Sequence, residues 1–212
     1  MILPAVLCIF STNQIPGGAS MRDSSRSTLG KSAFITQAGT VVQGIWIVGF
    51  ALLTAAGARI EVLNQPVPFT LQTLVVLVSG GLLGMRNGFL SQLTYLALGC
   101  AGLPVFAGGN FGPAVLLGPT GGYLLAFPLA ASIIGWLVHS RRGFWWYFFS
   151  LSIGLITIFT LGTLQLNIVY FHNFSEAVKA GFLIFSWLDI LKLFAAAFIV
   201  TRYAPRMGNI SR

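Results

Sequence analysis

The sequence predicts an all-α polytopic membrane protein with six transmembrane helices and with both termini in the cytoplasm. Of its 212 residues, 56% are hydrophobic and 8% are charged. That charged fraction is about a third of the level usual in soluble domains, so it cannot supply a polar surface. The apolar residues also form long runs, and basic residues concentrate in alternate loops between them. Soluble enzymes, nucleic-acid-binding proteins and disordered proteins are therefore excluded, despite the net charge of +8.

Six apolar stretches are candidates for the membrane spans, each of which needs roughly 20 residues to cross a bilayer. Residues 64–68 and 118–122 separate neighbouring stretches, because their prolines and glycines do not continue a helix. The second and third stretches are short, so we expect flanking residues to complete them. The predicted spans are residues 41–57, 70–84, 88–103, 123–138, 146–170 and 181–200.

The positions of the basic residues support this count and give the orientation. With a cytoplasmic N-terminus, nine arginine and lysine residues fall in inside segments and two, Arg59 and Lys179, fall outside near Glu61 and Glu176. Basic residues accumulate in cytoplasmic loops of membrane proteins, so the asymmetry favours this orientation. The nine inside residues are Arg22, Arg26, Lys31, Arg86, Arg141, Arg142, Arg202, Arg206 and Arg212.

The predicted organisation is one membrane domain between two tails. Residues 1–35 are expected to form a disordered cytoplasmic tail, because residues 11–32 are rich in serine, glycine and arginine; Met21 is an alternative start. Residues 36–203 form the six-helix domain, and residues 204–212 form a short basic cytoplasmic tail.

Motifs for enzymatic chemistry are missing from the sequence. The two histidines, His139 and His172, fall on opposite sides of the predicted membrane, so they cannot together hold a metal or haem. The glycine-rich residues 118–122 lack the Gly-Lys-Ser/Thr of a P-loop. We therefore predict no enzyme, no metal site and no cofactor, and any energy from ATP must come from another protein.

Asp189 and Lys192 are the two charges placed deep inside a predicted span. Their i, i+3 spacing puts them on one helix face, and each alone would cost roughly 3 kcal/mol to insert into a membrane. One interpretation is an ion pair that only tolerates burial; the other, which we favour, is a ligand site. Polar residues expected nearby in an outward-facing pocket are Gln72, Tyr95, Gln165 and Asn167.

Two outer loops and two small-residue pairs have alternative interpretations. Residues 65–70 and 104–122 are apolar and rich in glycine and proline, which favours lids over the pocket, although tight connections explain the same composition. Ala51 and Ala55 on the first span, and Gly80 and Gly84 on the second, have the spacing that lets another helix approach. Packing within this chain is the commoner explanation of that spacing.

Four ordered motifs resemble the BioY family, the biotin-binding S components of energy-coupling factor (ECF) transporters. They are Pro66-Val67-Pro68-Phe69-Thr70-Leu71-Gln72, Gly102-Leu103-Pro104-Val105-Phe106-Ala107-Gly108-Gly109, Leu117-Gly118-Pro119-Thr120-Gly121-Gly122-Tyr123 and Asp189-x-x-Lys192. The resemblance covers residues 48–192.

This resemblance implies a six-helix S-component fold in a bacterial plasma membrane, which captures biotin from outside. It also implies partners, namely a transmembrane T component and two cytoplasmic ATPases, besides membrane lipids. Biotin is the substrate and no cofactor is implied. A self-sufficient transporter, with Asp189 as a proton carrier, and a non-transporting scaffold are the alternatives.

The resemblance also assigns residue roles. Asp189 and Lys192 contribute to the biotin site, and the small-residue face of the first helix, Ala51 and Ala55, packs on the T component. The remaining predicted biotin-binding residues are Gln72, Phe69, Tyr95, Tyr123 and Asn167. The predicted lid residues are Pro66, Pro68, Gly109, Asn110, Gly118 and Gly121.

Overall fold

The computed structural model describes residues 21–62, 67–181 and 187–207, and it divides into two units, residues 1–38 and residues 39–212. Within the described residues, the helices are α1 (Met21–Arg59), α2 (Gln72–Cys100), α3 (Ala114–Leu117), α4 (Gly121–Ser140), α5 (Phe144–Leu166), α6 (Phe174–Gly181) and α7 (Trp187–Met207). Two short strands, β1 (Glu61–Val62) and β2 (Phe69–Thr70), pair in antiparallel orientation and form a ribbon. A 3₁₀ turn covers Ala107–Gly109, and a π-helical turn, Asn167–Phe171, extends α5.

Four stretches of the described residues are long and apolar enough to cross a membrane. They are Gly39–Arg59, Gln72–Cys100, Gly121–Ser140 and Phe144–Phe171. The predicted class, a mostly helical protein with several membrane-spanning segments, is confirmed at this level. Two details differ from the prediction. Helix α1 includes residues 21–35, which were expected to be disordered, and the predicted span 181–200 corresponds to α7, which begins at Trp187.

Helix α2 is a hairpin of two arms rather than one straight rod. Its arms, residues 72–83 and 85–100, are separated by Gly84, whose φ of 77° and ψ of −177° interrupt the helix. Residues eight apart in a straight helix lie roughly 12 Å from each other. Here a Cβ on Gly88 would lie 3.1 Å from the Cα of Gly80, and the Gln92 Nε2 donates to Ser79 Oγ at 3.0 Å. The arms therefore run side by side in opposite directions, and the backbone at Gly84 is one that glycine alone adopts readily.

Small residues bring the hairpin into close contact with α4. A Cβ on Gly80 would lie 2.6 Å from the carbonyl oxygen of Ala131, and a Cβ on Gly135 would lie 2.3 Å from the backbone nitrogen of Met85. Internal packing therefore explains the Gly80 and Gly84 pair. It also explains Ala51, which has no exposed surface and belongs to the core of this chain. Ala51 consequently has no surface left for the predicted contact with a partner helix, whereas Ala55 is half-buried.

Contacts group the ends of the helices of the second unit into two sets. At what we call the site end, residues 59–61 contact residues 104–108, Gln165 contacts residues 116–118, and Lys192 contacts Thr70. At what we call the far end, residues 84–85 lie against Gly135, and Trp146 bonds to Leu137. Successive helical segments therefore run in alternate directions between the two ends.

Candidate ligand-binding cavity

A cavity of about 260 Å³ lies at the site end. It approaches the lower limit of the roughly 300–1,000 Å³ common for small-molecule sites. Its lining combines the segment before α2 with the first residues of α2, the loop and short α3 between α2 and α4, the first two turns of α4, the second half of α5, the end of α6 and the beginning of α7. The lining residues are Val67, Pro68, Phe69, Thr70, Gln72, Thr73, Phe106, Ala107, Asn110, Val115, Thr120, Tyr123, Leu124, Phe127, Phe159, Ala180, Gly181, Asp189 and Lys192.

Asp189 and Lys192 form a buried ion pair in the cavity wall. The Lys192 Nζ donates to Asp189 Oδ1 at 3.1 Å. The side chain of Lys192 is 7% exposed and that of Asp189 is 1% exposed. Among the described lining residues, these two alone carry formal charge. Burying charge is unfavourable unless the charges are paired and hydrogen-bonded. The i, i+3 spacing on α7 brings the two side chains together, so that each buried charge is paired with the other.

Further contacts occupy the ammonium group of Lys192. It donates to the carbonyl oxygen of Thr70 at 2.8 Å and to Thr73 Oγ1 at 3.1 Å. An ammonium has three hydrogens, so these bonds and the bond to Asp189 account for all of them. The ring of Phe69 lies over the group, with its centroid 3.4 Å from Nζ, which adds a cation–π attraction.

The short ribbon positions the backbone oxygen that Lys192 binds. Glu61 of β1 pairs with Thr70 of β2, and the backbone N–H of Leu71 donates to the carbonyl oxygen of Ile60 at 3.2 Å. These bonds fix the chain between α1 and α2 at the point where α2 begins. The carbonyl oxygen of Thr70 is therefore held within hydrogen-bond distance of Lys192, although the two residues are 122 positions apart in the sequence.

Gln72 and Tyr95 are hydrogen-bonded to each other, but only Gln72 lines the cavity. The Gln72 Nε2 donates to the Tyr95 hydroxyl, while Thr70 Oγ1 donates to Gln72 Oε1 at 3.0 Å. Tyr95 has no exposed surface and lies behind the wall, where its hydroxyl donates to the carbonyl oxygen of Val105 at 3.3 Å. The structure therefore differs from the prediction that Tyr95 lines the pocket. Its side chain is directed instead to Val105 and Phe106 in the loop between α2 and α4.

Tyr123 lines the cavity, whereas the polar residues near the end of α5 do not. The Tyr123 hydroxyl donates to the carbonyl oxygen of Gly181 at 3.1 Å. Gln165 instead donates to the carbonyl oxygens of Leu116 and Gly118, at 2.8 and 2.9 Å, and so fastens the loop before α4. Asn167 lies in the π-helical turn, outside the lining.

The predicted lid residues divide in the same way. Pro68 and Asn110 line the cavity, whereas Gly109, Gly118 and Gly121 lie beside it without lining it; Pro66 falls outside the described residues. Asn110 also donates from Nδ2 to the carbonyl oxygen of Ala107 at 2.8 Å, which closes the turn. Several other lining residues were not recognisable as such in the sequence, because aromatic and threonine side chains in apolar stretches give no separate signal. These are Thr73, Phe106, Thr120, Phe127 and Phe159.

Comparison with known proteins assigns the family. The sequence matches the BioY family over residues 28–209. The chain belongs to the BioY family. Over 153 residues it is 45% identical to the biotin transporter BioY of Thermotoga maritima, covering 72% of this chain and 90% of that protein. It is 44% identical, with the same coverage, to the probable biotin transporter BioY of Pyrococcus horikoshii.

A solved structure supports the same family assignment. The crystal structure of the S-component for biotin from an ECF-type ABC transporter matches with a TM-score of 0.74 and 26% sequence identity. The match covers 82% of this chain and 97% of that chain. BioY proteins are transporters rather than enzymes.

Proposed function

We propose that this BioY chain captures biotin in the cavity at its site end and delivers it inward as the S component of an ECF importer. The observation that carries the proposal is the ion pair of Asp189 and Lys192 in the wall of a cavity of about 260 Å³. Intramembrane ionisable residues mark functional sites by default, and a cavity with few polar groups is typical of a small-molecule site. The named relatives and the matching S-component agree with this ligand.

Biotin and the cavity have complementary chemistry. The ligand has a ureido ring with two N–H donors and a carbonyl, an apolar thiophane ring and a carboxylate tail. A carboxylate such as Asp189 accepts from N–H groups, and an ammonium such as Lys192 donates to oxygen. The rings of Phe69, Tyr123 and Phe159 supply apolar walls for the thiophane.

Binding through Lys192 requires an exchange of partners. All three ammonium hydrogens already have protein acceptors, which are Thr70, Thr73 and Asp189. A ligand oxygen that reaches Lys192 must therefore replace one of them. The carbonyl of Thr70 is on the segment before α2, so this exchange would make that segment sensitive to the ligand.

We further propose six membrane crossings, with the far end in the cytoplasm and the cavity open to the outside of the cell membrane. Counting the arms of the α2 hairpin separately gives crossings by residues 39–59, 72–83, 85–100, 121–140, 144–171 and 187–207. The two arms are shorter than the roughly 20 residues of a full crossing, so flanking residues at the site end complete them. The arginines beside the far end, including Arg86, Arg141 and Arg142, support a cytoplasmic location for it. Both termini are then cytoplasmic.

The proposed partners are a transmembrane T component and two cytoplasmic ATPases. The sequence carries no complete P-loop, so the chain itself has no motif for ATP binding. The likeness to an S-component from an ECF-type ABC transporter supports supply of energy by other subunits. Uptake of biotin by cells with and without the ATPase module, in the presence and absence of a proton gradient, distinguishes this from the self-sufficient transporter.

Equilibrium binding of labelled biotin to the purified protein tests the proposed site. Asp189→Asn keeps the shape of the side chain but removes its charge, so we expect a large loss of affinity. Glu176→Gln, which makes the same chemical change at an exposed position on α6, is the matched control and should bind as the parent does. A folded parent that binds no biotin, or an Asp189→Asn variant that binds like the parent, would contradict the proposal.

A further inference from the structure

Two charged residues where α1 ends contact the backbone of the loop beside the cavity. Arg59, the last residue of α1, donates from Nη2 to the carbonyl oxygen of Pro104. Glu61, the first residue of β1, accepts from the backbone N–H of Gly108 through Oε2 at 2.9 Å. In the sequence, the two residues are recognisable only as charges of a segment predicted to lie outside. In the structure, each holds residues 104–110, which we call the cavity loop.

The cavity loop contributes a wall of the cavity. Phe106 and Asn110 both line it, and Phe106 is 1% exposed. The ring of Phe106 fills the space beside Gly99, where a Cβ would lie 2.1 Å from its Cζ, and meets the ring of Tyr95 edge-on at 5.6 Å between centroids. The position of this loop therefore sets how closely Phe106 and Asn110 approach a ligand.

The conformation of the loop explains why its backbone needs an outside partner. Gly108 and Gly109 have φ of 66° and 74°, in the left-handed region that glycine adopts without strain. Glycine also has the greatest conformational freedom of any residue, so ordering the turn is entropically unfavourable. The bond from the Gly108 N–H to Glu61 offsets part of that loss.

The same end of α1 is also connected to the segment before α2, which is another part of the cavity wall. Glu61 pairs with Thr70 across the ribbon, and the carbonyl of Thr70 accepts from Lys192. Residues 59–61 therefore join the cavity loop to the segment that contacts the ion pair. Neither Arg59 nor Glu61 lines the cavity, so any effect on a ligand must pass through these backbones.

We propose that Arg59 and Glu61 are positioning residues that hold the cavity loop against the bound ligand and thereby set its rate of release. This inference rests on the proposed function, because the ligand is taken to be biotin. Without the carboxylate of Glu61, the cavity loop opens more often and the ligand leaves faster. Arg59 acts in the same direction through Pro104.

The experiment compares Glu61→Ala with Glu61→Gln in purified protein. The Gln side chain keeps an oxygen that accepts from the Gly108 N–H, whereas Ala has none. One readout is the dissociation rate of labelled biotin on chase with unlabelled biotin. The other is backbone hydrogen exchange of residues 104–110 in the ligand-free protein, which does not depend on the identity of the ligand.

We expect Glu61→Ala to raise the dissociation rate about fivefold, as for the loss of one ordinary, partly exposed hydrogen bond. The association rate should not fall, exchange in the cavity loop should rise, and Glu61→Gln should stay near the parent in every readout. Arg59→Met should raise both exchange and dissociation, which gives a second variant if Glu61→Ala does not fold.

Unchanged exchange in both Glu61→Ala and Arg59→Met would overturn the inference. Equal effects of Glu61→Ala and Glu61→Gln would also overturn it, because the hydrogen bond to Gly108 would then not be the cause. If the parent binds no biotin, the proposed function fails, and the exchange measurement alone decides whether these residues hold the loop.

Discussion

At the far end of the bundle, the turn of the α2 hairpin packs directly on the backbone of α4, whereas at the site end side chains of α2, α4 and α7 line a cavity. A Cβ on Gly135 would lie 2.3 Å from the backbone of Met85, so no space remains between the α2 hairpin and α4. At the site end, the ammonium group of Lys192 donates hydrogen bonds to Thr70 and Thr73 in the cavity wall. The comparison shows that the packing leaves ligand-sized space at the site end and none between the α2 hairpin and α4 at the far end.

The largest effect is expected from breaking the ion pair at the site end. Lys192→Met leaves the Asp189 carboxylate buried without its cation, which destabilises a protein by about 3–5 kcal/mol. Biotin affinity should fall by at least roughly 30-fold, as for truncation of one partner of a buried charge pair. Thermal unfolding and equilibrium biotin binding measure the two effects.

Two further variants test whether the loss of stability and affinity in Lys192→Met comes from breaking the ion pair of Asp189 and Lys192. Lys179→Met removes an exposed lysine on α6 and should leave stability and binding unchanged. The double variant Asp189→Asn with Lys192→Met should recover much of the lost stability but not the binding, because neither charge then stays buried. A Lys192→Met protein as stable as the parent would contradict the account of the site end.

A smaller effect, on stability rather than binding, is expected at the far end. Gly135→Val places a side chain against the backbone of Met85, which cannot move as a flexible side chain could. Overpacking of this kind costs about 1–3 kcal/mol, so the melting temperature in detergent should fall. The matched control is Gly49→Val on α1, where a Cβ has nothing within 4 Å. Equal melting temperatures of the two variants would contradict close packing at the far end.

The smallest effect is expected from a residue behind the cavity wall. Tyr95→Phe keeps the ring against Phe106 but removes the hydroxyl that joins Gln72 to Val105. We expect a loss of about 0.5–1.5 kcal/mol in biotin binding, since Gln72 stays in the wall but loses its support. Titration calorimetry beside Tyr170→Phe, an exposed tyrosine on the π-helical turn, measures it. A loss as large as that of Lys192→Met would mean that Tyr95 touches the ligand.

Much of the frame could be predicted because its signals are local in the sequence. Gly84 ends the first arm of α2 where the apolar stretch was predicted to end, since glycine adopts the backbone that a reversal needs. Asp189 and Lys192 were recognisable as a pair because charges are rare in apolar stretches and their spacing puts them on one face.

The features that were missed depend on long-range geometry. Whether the side chain of Tyr95 faces the cavity depends on how α2 is rotated about its own axis. The sequence does not determine that rotation. Arg59 and Glu61 bond to backbone atoms of residues 104–108, and a backbone carbonyl or N–H leaves no mark in a sequence. Ala51 has the spacing of a helix-packing residue, but spacing cannot say whether the neighbour belongs to the same chain.

A structure of this protein with biotin bound tests the central claim most directly. The account predicts biotin in the cavity, in contact with Asp189 and Lys192, with the lysine released from at least one of Thr70, Thr73 and Asp189. Biotin bound elsewhere, or bound in the cavity while Lys192 keeps all three protein acceptors, would contradict it.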